Sequence, residues 1–214
     1  QTLRQFGVFE NFVKKSFDIS SQISSDSDSW YVNRVLNEAY NLAVEDAQGP
    51  VHINMHVSEP IYKMEPCEDS GLVLIDKVSA TSGLRNDVVQ ELRQIIASKK
   101  KVMVFCGMMP ENENLQSHLV KLSDLDNVVV LAEHLSNIVG GNVINRVDTI
   151  MSEMPEASKW DYAPDLLIYV GGAPVSKKMK LYLRSHASVE QWRVGVDNTI
   201  IDTMQGITKH FNIT

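Results

Sequence analysis

"LLIYVGGAPVSKKMKLYL", residues 166–183, decides the fold. Its first five residues form a continuous apolar run, which reads as a strand buried on both faces. Two glycines follow, and after them come helix-forming residues. Two lysines, Lys177 and Lys178, stand where that helix should begin. The positive end of a helix dipole disfavours cations and favours anions. Their placement therefore asks for a reason.

The same rhythm extends in both directions from this stretch. Residues 86–98 carry Val88, Val89, Leu92, Ile95 and Ile96 at helical spacing, and "VMVFC", 102–106, reads as a strand. "ENENLQSHLVKL", 111–122, is a predicted helix, "VVVLA", 128–132, a strand, and "NVINRVDTIM", 142–151, a helix. "SKKMKLYLRSHA", 176–187, is the next helix, with strands expected at "WRVGV", 192–196, and "ITKHFNI", 207–213. Apolar strands separated by helices predict an α/β domain, a parallel sheet with helices on both faces.

Residues 1–62 read differently. "FDISSQISSDSDS", 17–29, is rich in Ser and Asp and predicts an exposed loop. Asp28 or Ser29 then offers an N-cap for a helix bearing Val32, Val35, Leu36, Ala39 and Ala43, which Gly49 and Pro50 stop. In 51–58, Val51, Ile53, Met55 and Val57 alternate with His52, Asn54, His56 and Ser58, a half-buried strand. One helix and one strand cannot bury enough surface to offset chain entropy. The chain also begins "QTLRQFG" without an initiator methionine, so the expectation is a piece of something longer. Residues 63–85 read as a linker.

Bulk properties narrow the class. The 214 residues are 43% hydrophobic and 22% charged, ordinary for a globular protein. A net charge of −7 and a pI of about 5.3 disfavour nucleic acid and anionic membrane as partners. No apolar run spans a bilayer, and no secretory signal opens the chain. Cys67 and Cys106 give neither a disulfide framework nor a zinc spacing, so a cytoplasmic setting is expected.

In open parallel sheets, ligands sit outside the carboxyl ends of the strands. The residues there are Gly107 and Met108, Glu133 and His134, Gly171 and Gly172, and Asp197 and Asn198. "VGGAPVSKK" is neither G-x-G-x-x-G nor a Walker loop. Its glycines serve a tight turn, or its backbone and lysines face an anion. Glu133 and His134 read as an acid/base pair or as local capping residues. His52 and His56 lie on one strand face, about 13 Å apart, too far to share a metal. "KKK" at 99–101 suits a solvated helix end, and Cys106 reads as buried and inert. No serine sits in a G-x-S-x-G elbow, so a hydrolase has no support.

Three stretches in order, "QTLRQFGVF" at the start, "GPVHINMHVSEPIY" at 49–62 and "YVGGAPVSKKMKLYL" at 169–183, resemble one family, with "VVVLAEHLSN" between the last two. It is the thiamine-diphosphate-dependent 2-succinyl-5-enolpyruvyl-6-hydroxy-3-cyclohexene-1-carboxylate synthases of menaquinone biosynthesis. The resemblance implies that 1–62 is the C-terminal part of a pyrimidine-binding domain and 86–214 a Rossmann-like central domain. It implies a reaction that decarboxylates 2-oxoglutarate on thiamine diphosphate and adds the succinyl unit to isochorismate. Thiamine diphosphate and Mg²⁺ or Mn²⁺ would be bound mainly by other domains, none by this chain, which alone should be inactive. The full enzyme would be a homo-oligomer, dimer or tetramer. Lys177 and Lys178 match a basic pair that faces substrate carboxylates, although the second position is often arginine in the family. Gln1 matches a glutamine that contacts the substrate or the cofactor adduct. On this view the dipole cost, about 0.3–1 kcal/mol, is small beside charge-assisted contacts of about 1.5–3 kcal/mol each. The alternative is a non-catalytic FAD/NAD-binding or regulatory α/β domain, disfavoured by the missing G-x-G-x-x-G and acidic partner. A purely structural spacer is a third reading.

Overall fold

Phe17 and Ile19 alternate with Asp18 and Ser20, and this short alternation forms a strand, β1 (Ser16–Ser20). A loop is the expectation there, because Ser and Asp dominate the composition; two buried side chains outweigh it. The computed structural model describes residues 5–44, 48–58, 73–77, 83–186, 189–196 and 200–213. Its chain divides into two compact units, Gln1–Ala80 and Thr81–Thr214.

In the first unit, helix α1 (Asp26–Val44) starts two residues before Asp28. Asp28 accepts from the Ser24 amide and hydroxyl, while the Ser25 hydroxyl accepts from the Asp28 amide at 3.2 Å. These reciprocal bonds satisfy the first turn. Strand β2 (His52–His56) pairs in parallel with β1, Ser16 opposite His52 and Ser20 opposite His56. Among its described residues the unit thus holds two strands where one is expected. The buried residue of β2 is Asn54, on the face of Asp18, whereas Ile53 and Met55 lie on the face of Phe17 and Ile19 and are exposed. The reason lies in packing. Val35 and Ala39 of α1 pack on Phe17 and Ile19 of β1, while Asn54 is held by the Asp18 carboxylate at 2.6 Å. Residues 73–75 run beside α1. Asn33, Asn37 and Asn41, one helical turn apart, bond the backbone of Val73 and Ile75.

The second unit opens with α2 (Asn86–Ser98), then β3 (Val102–Cys106), α3 (Glu113–Leu122) and β4 (Val128–Ala132). Helix α4 (Val147–Glu153) is shorter than the predicted 142–151 and ends later. Ile144 is spent on the sheet instead, exchanging backbone bonds with Val130 and Ala132 at 2.9 Å. Strand β5 (Leu166–Val170), helix α5 (Lys177–Ser185), β6 (Glu190–Gly195) and β7 (Ile207–Asn212) complete it. The five strands are all parallel, in the order β4-β3-β5-β6-β7.

This sheet is covered on both faces. Val102, Val104 and Cys106 face Leu92, Ile95 and Ile96 of α2 and Leu119 of α3. Met103, Phe105, Leu167 and Tyr169 face Val147 and Met151 of α4 and Met179 and Leu183 of α5. Alternate residues of each strand feed opposite layers, so the runs must be apolar throughout. Among the described residues, no helix is long and apolar enough to cross a membrane.

Candidate functional site

Strand β4 lies on one side of β3 and β5 on the other, so the winding reverses between β3 and β5. Ligands of open α/β sheets favour the carboxyl edge at such a point. Here the two strand ends touch through backbone. The Gly172 amide donates to the Met108 carbonyl at 2.7 Å and the Gly107 amide to the Val170 carbonyl at 2.9 Å. A Cβ on Gly107 would stand 2.2 Å from the Gly172 oxygen, and Gly171 has φ +90°. Glycine is required by this close approach.

The turn from Gly171 to Ser176 is fastened at both ends. Arg193 of β6, buried, donates from Nη1 to the Gly171 carbonyl at 3.0 Å and lies over the Tyr169 ring, 5.7 Å from its centroid. Glu133, buried just past β4, accepts from the Val175 amide at 2.8 Å and from the Ser176 amide at 2.7 Å. Glu133 is therefore a capping residue for α5. His134 lies exposed in the single 3-10 turn that follows, and the two share no hydrogen bond among the described residues. Ser176 completes the cap. Its hydroxyl accepts from the Met179 amide at 3.0 Å and donates to Asp148 of α4 at 2.5 Å.

Lys177 and Lys178 begin α5 at this edge, both exposed. Two carboxyl groups, Glu133 and Asp148, stand at the same helix end and offset the lysines against the dipole. The two ammonium groups differ. Lys178 donates to the Ser152 hydroxyl of α4 at 2.5 Å. Among the described residues, Lys177 has no hydrogen bond or ion pair. A cleft of about 190 Å³ beside them is lined by Glu133, His134, Arg146, Asp148, Val175 and Ser176. Arg146 and Asp148 escape sequence reasoning, because the predicted helix over 142–151 hides the turn that places them at this edge.

Other candidates resolve into structure. Burial pushes the Cys106 thiol up to about 12, which suits an inert core cysteine. Burial likewise raises Tyr169, against the opposing pull of Arg193. Lys99 is not a solvated helix end, since it is ion-paired with Glu190 at 2.9 Å. His52 packs edge-on against Phe9 at 5.1 Å, while His56 bonds Asp18 at 2.8 Å. No group of three or more His, Cys, Asp or Glu able to hold a metal occurs among the described residues. A larger cavity, about 540 Å³, is apolar, walled by Leu131, Ile150, Met151 and Met154, and contains neither lysine. Gln1, Cys67, Asp197 and Asn198 lie outside the described residues.

The architecture is that of a doubly wound α/β domain with a cation pair at its carboxyl edge. No protein-family model matches the chain. It is similar to the 2-succinyl-5-enolpyruvyl-6-hydroxy-3-cyclohexene-1-carboxylate synthase of Bacteroides thetaiotaomicron, 34% identical over 97% of this chain and 37% of the relative. The enzymes of that name from Porphyromonas gingivalis and Desulfotalea psychrophila are each 30% identical, over 98% and 100% of this chain and 36% and 40% of theirs. The chain is homologous to one stretch of these synthases, and it spans somewhat more than a third of their length.

Proposed function

We propose that the chain is the middle part of such a synthase, which decarboxylates 2-oxoglutarate on thiamine diphosphate and transfers the succinyl unit to isochorismate. Residues 1–62 are read as the end of the pyrimidine-binding domain, 63–85 as a linker and 86–214 as the central domain. Thiamine diphosphate and its metal are read as bound mainly by other domains, and no chemical step is assigned to the described residues. The chain by itself is proposed to be inactive. Its own contribution is to hold carboxylates. Lys177 and Lys178 are read as substrate-binding residues, with Gln1 a third contact. The observation that carries this reading is the ammonium of Lys177 at the carboxyl edge of the sheet, without a partner among the described residues, in a stretch that resembles the family's basic pair.

The test is Lys177→Ala in the complete synthase. The expected loss is about 1.5–3 kcal/mol in transition-state binding, roughly 10- to 150-fold in kcat/KM for a carboxylate substrate. Thiamine diphosphate affinity should not change. Lys178→Ala should cost less, because that ammonium is already engaged with Ser152, and Lys178→Arg should be tolerated. The exposed Lys100 serves as control. Wild-type constants for both substrates in both alanine variants would reduce the pair to a solvated helix start.

A further inference from the structure

We propose that Glu133 and Arg193 are positioning residues for Lys177, a pair of oppositely charged buried groups that clamp the turn presenting it. The proposal rests on the reading of Lys177 as a carboxylate-binding residue. Capping alone does not call for Glu133. The Ser176 hydroxyl already satisfies the Met179 amide, as an N-cap serine does elsewhere. A carboxylate brought in from 43 residues upstream and buried at 7% exposure is a costly second cap. It is offset by three contacts at 2.7–3.1 Å from the Val175 and Ser176 amides. Those amides immediately precede Lys177. At the other end of the turn, Arg193 is 2% exposed and grips the Gly171 carbonyl. The turn is thus held from β4 by an acceptor and from β6 by a donor, in the senses that its free amides and free carbonyl require. The neighbouring Lys178 is tied to α4. What the clamp leaves projecting is the Lys177 ammonium. Its carboxylate member also lowers the electrostatic cost of a cation at a helix N-terminus.

The test uses the complete synthase with Glu133→Gln, which keeps size and removes the charge and one acceptor, and with Glu133→Asp, which keeps the charge and shortens the reach. Amide exchange at Val175 and Ser176 should accelerate by about 10-fold or more in Glu133→Gln. KM for 2-oxoglutarate should rise by about 10-fold with thiamine diphosphate affinity unchanged, a part of the roughly 100-fold that misplacement by about 1 Å can cost. Lys177→Ala should then cost less in the Glu133→Gln background than in the wild type, the signature of coupled residues. If Glu133→Gln fails to fold, the same three readouts on Glu133→Asp decide. Unchanged exchange overturns the clamp. Faster exchange with additive losses overturns the positioning of Lys177. A silent Lys177→Ala together with faster exchange shows that the clamp is real but the substrate reading of the lysine is wrong.

Discussion

The sheet of β1 and β2 and the sheet of β3 to β7 are both parallel, yet they are stabilised very differently. In the larger one, Val104, Phe105 and Cys106 are each 2% exposed or less, and layers of helices take alternate side chains. In the smaller one, α1 covers Phe17 and Ile19, while Ile53 is 37% and Met55 53% exposed. Its other face is polar, with Asp18, Asn54 and His56 joined by hydrogen bonds. Parallel sheets ordinarily bury both faces, and two strands alone are marginal. Local signals suffice to shape α1 and β2: a cap, a glycine-proline stop, an alternation. Burial on the scale of the second unit is what they lack.

The sharpest way to break this contrast is a pair of truncations. Phe105→Ala should destabilise the second unit by about 3–5 kcal/mol, since it empties a fully buried site. Ile53→Ala, on an exposed face, should stay within about 0.5 kcal/mol. Urea unfolding followed through buried Trp192 reads the first, and amide exchange across His52–His56 reads the second. An Ile53→Ala cost equal to that of Phe105→Ala would mean that the apolar face of β2 is covered in solution, and the contrast fails.

A smaller effect is expected from Gly107→Ala, where the new methyl meets the Gly172 carbonyl. Backbone, not a flexible side chain, must yield, so a loss of about 1–3 kcal/mol in thermal unfolding is expected. Gly83→Ala, with nothing within 4 Å of its Cβ position, should be neutral. A neutral Gly107→Ala would show that the junction of β3 and β5 is looser than its contacts imply.

Both the contrast and the candidate site were legible in the sequence to different depths. Strands β3, β4 and β5 occupy the residues that their apolar runs predict, because a doubly covered strand leaves an unmistakable composition. Strand β1 did not show. Two buried residues in "FDIS" are too short a pattern to outweigh Ser and Asp, and the pairing that makes it a strand is 36 residues away. The start of α4 is not legible for a similar reason, since Ile144 is claimed by Val130 and Ala132 rather than by a helix. At the site, the lysine pair was visible as an electrostatic oddity. The clamp is not, since Glu133 and Arg193 reach opposite ends of the turn only through the winding of three parallel strands.

The smallest expected effect concerns acid. The Asn54 amide and then His56 hold the Asp18 carboxyl below its ordinary value of 3.8. In the second unit, Lys99 holds Glu190 below 4.5, with Trp192 adding a further hydrogen bond. Each depressed value means that the folded state binds the proton more weakly than the unfolded chain does. The stabilisation is therefore complete above the ordinary carboxylate range and is lost as pH falls through the folded value, below 3.8 for Asp18 and below 4.5 for Glu190. Asp18 is well exposed to solvent, so screening keeps its share small. The measurement is a carboxyl NMR titration of Asp18. Asn54→Ala should raise its midpoint most, because that amide is the first cause of the shift, and His56→Ala should raise it less. With Asn54 removed, β2 also loses its buried residue, so its amides should exchange faster at every pH. An Asp18 midpoint that stays put in Asn54→Ala would mean that the polar face of the small sheet is not organised around this carboxylate. The two units would then differ in burial alone.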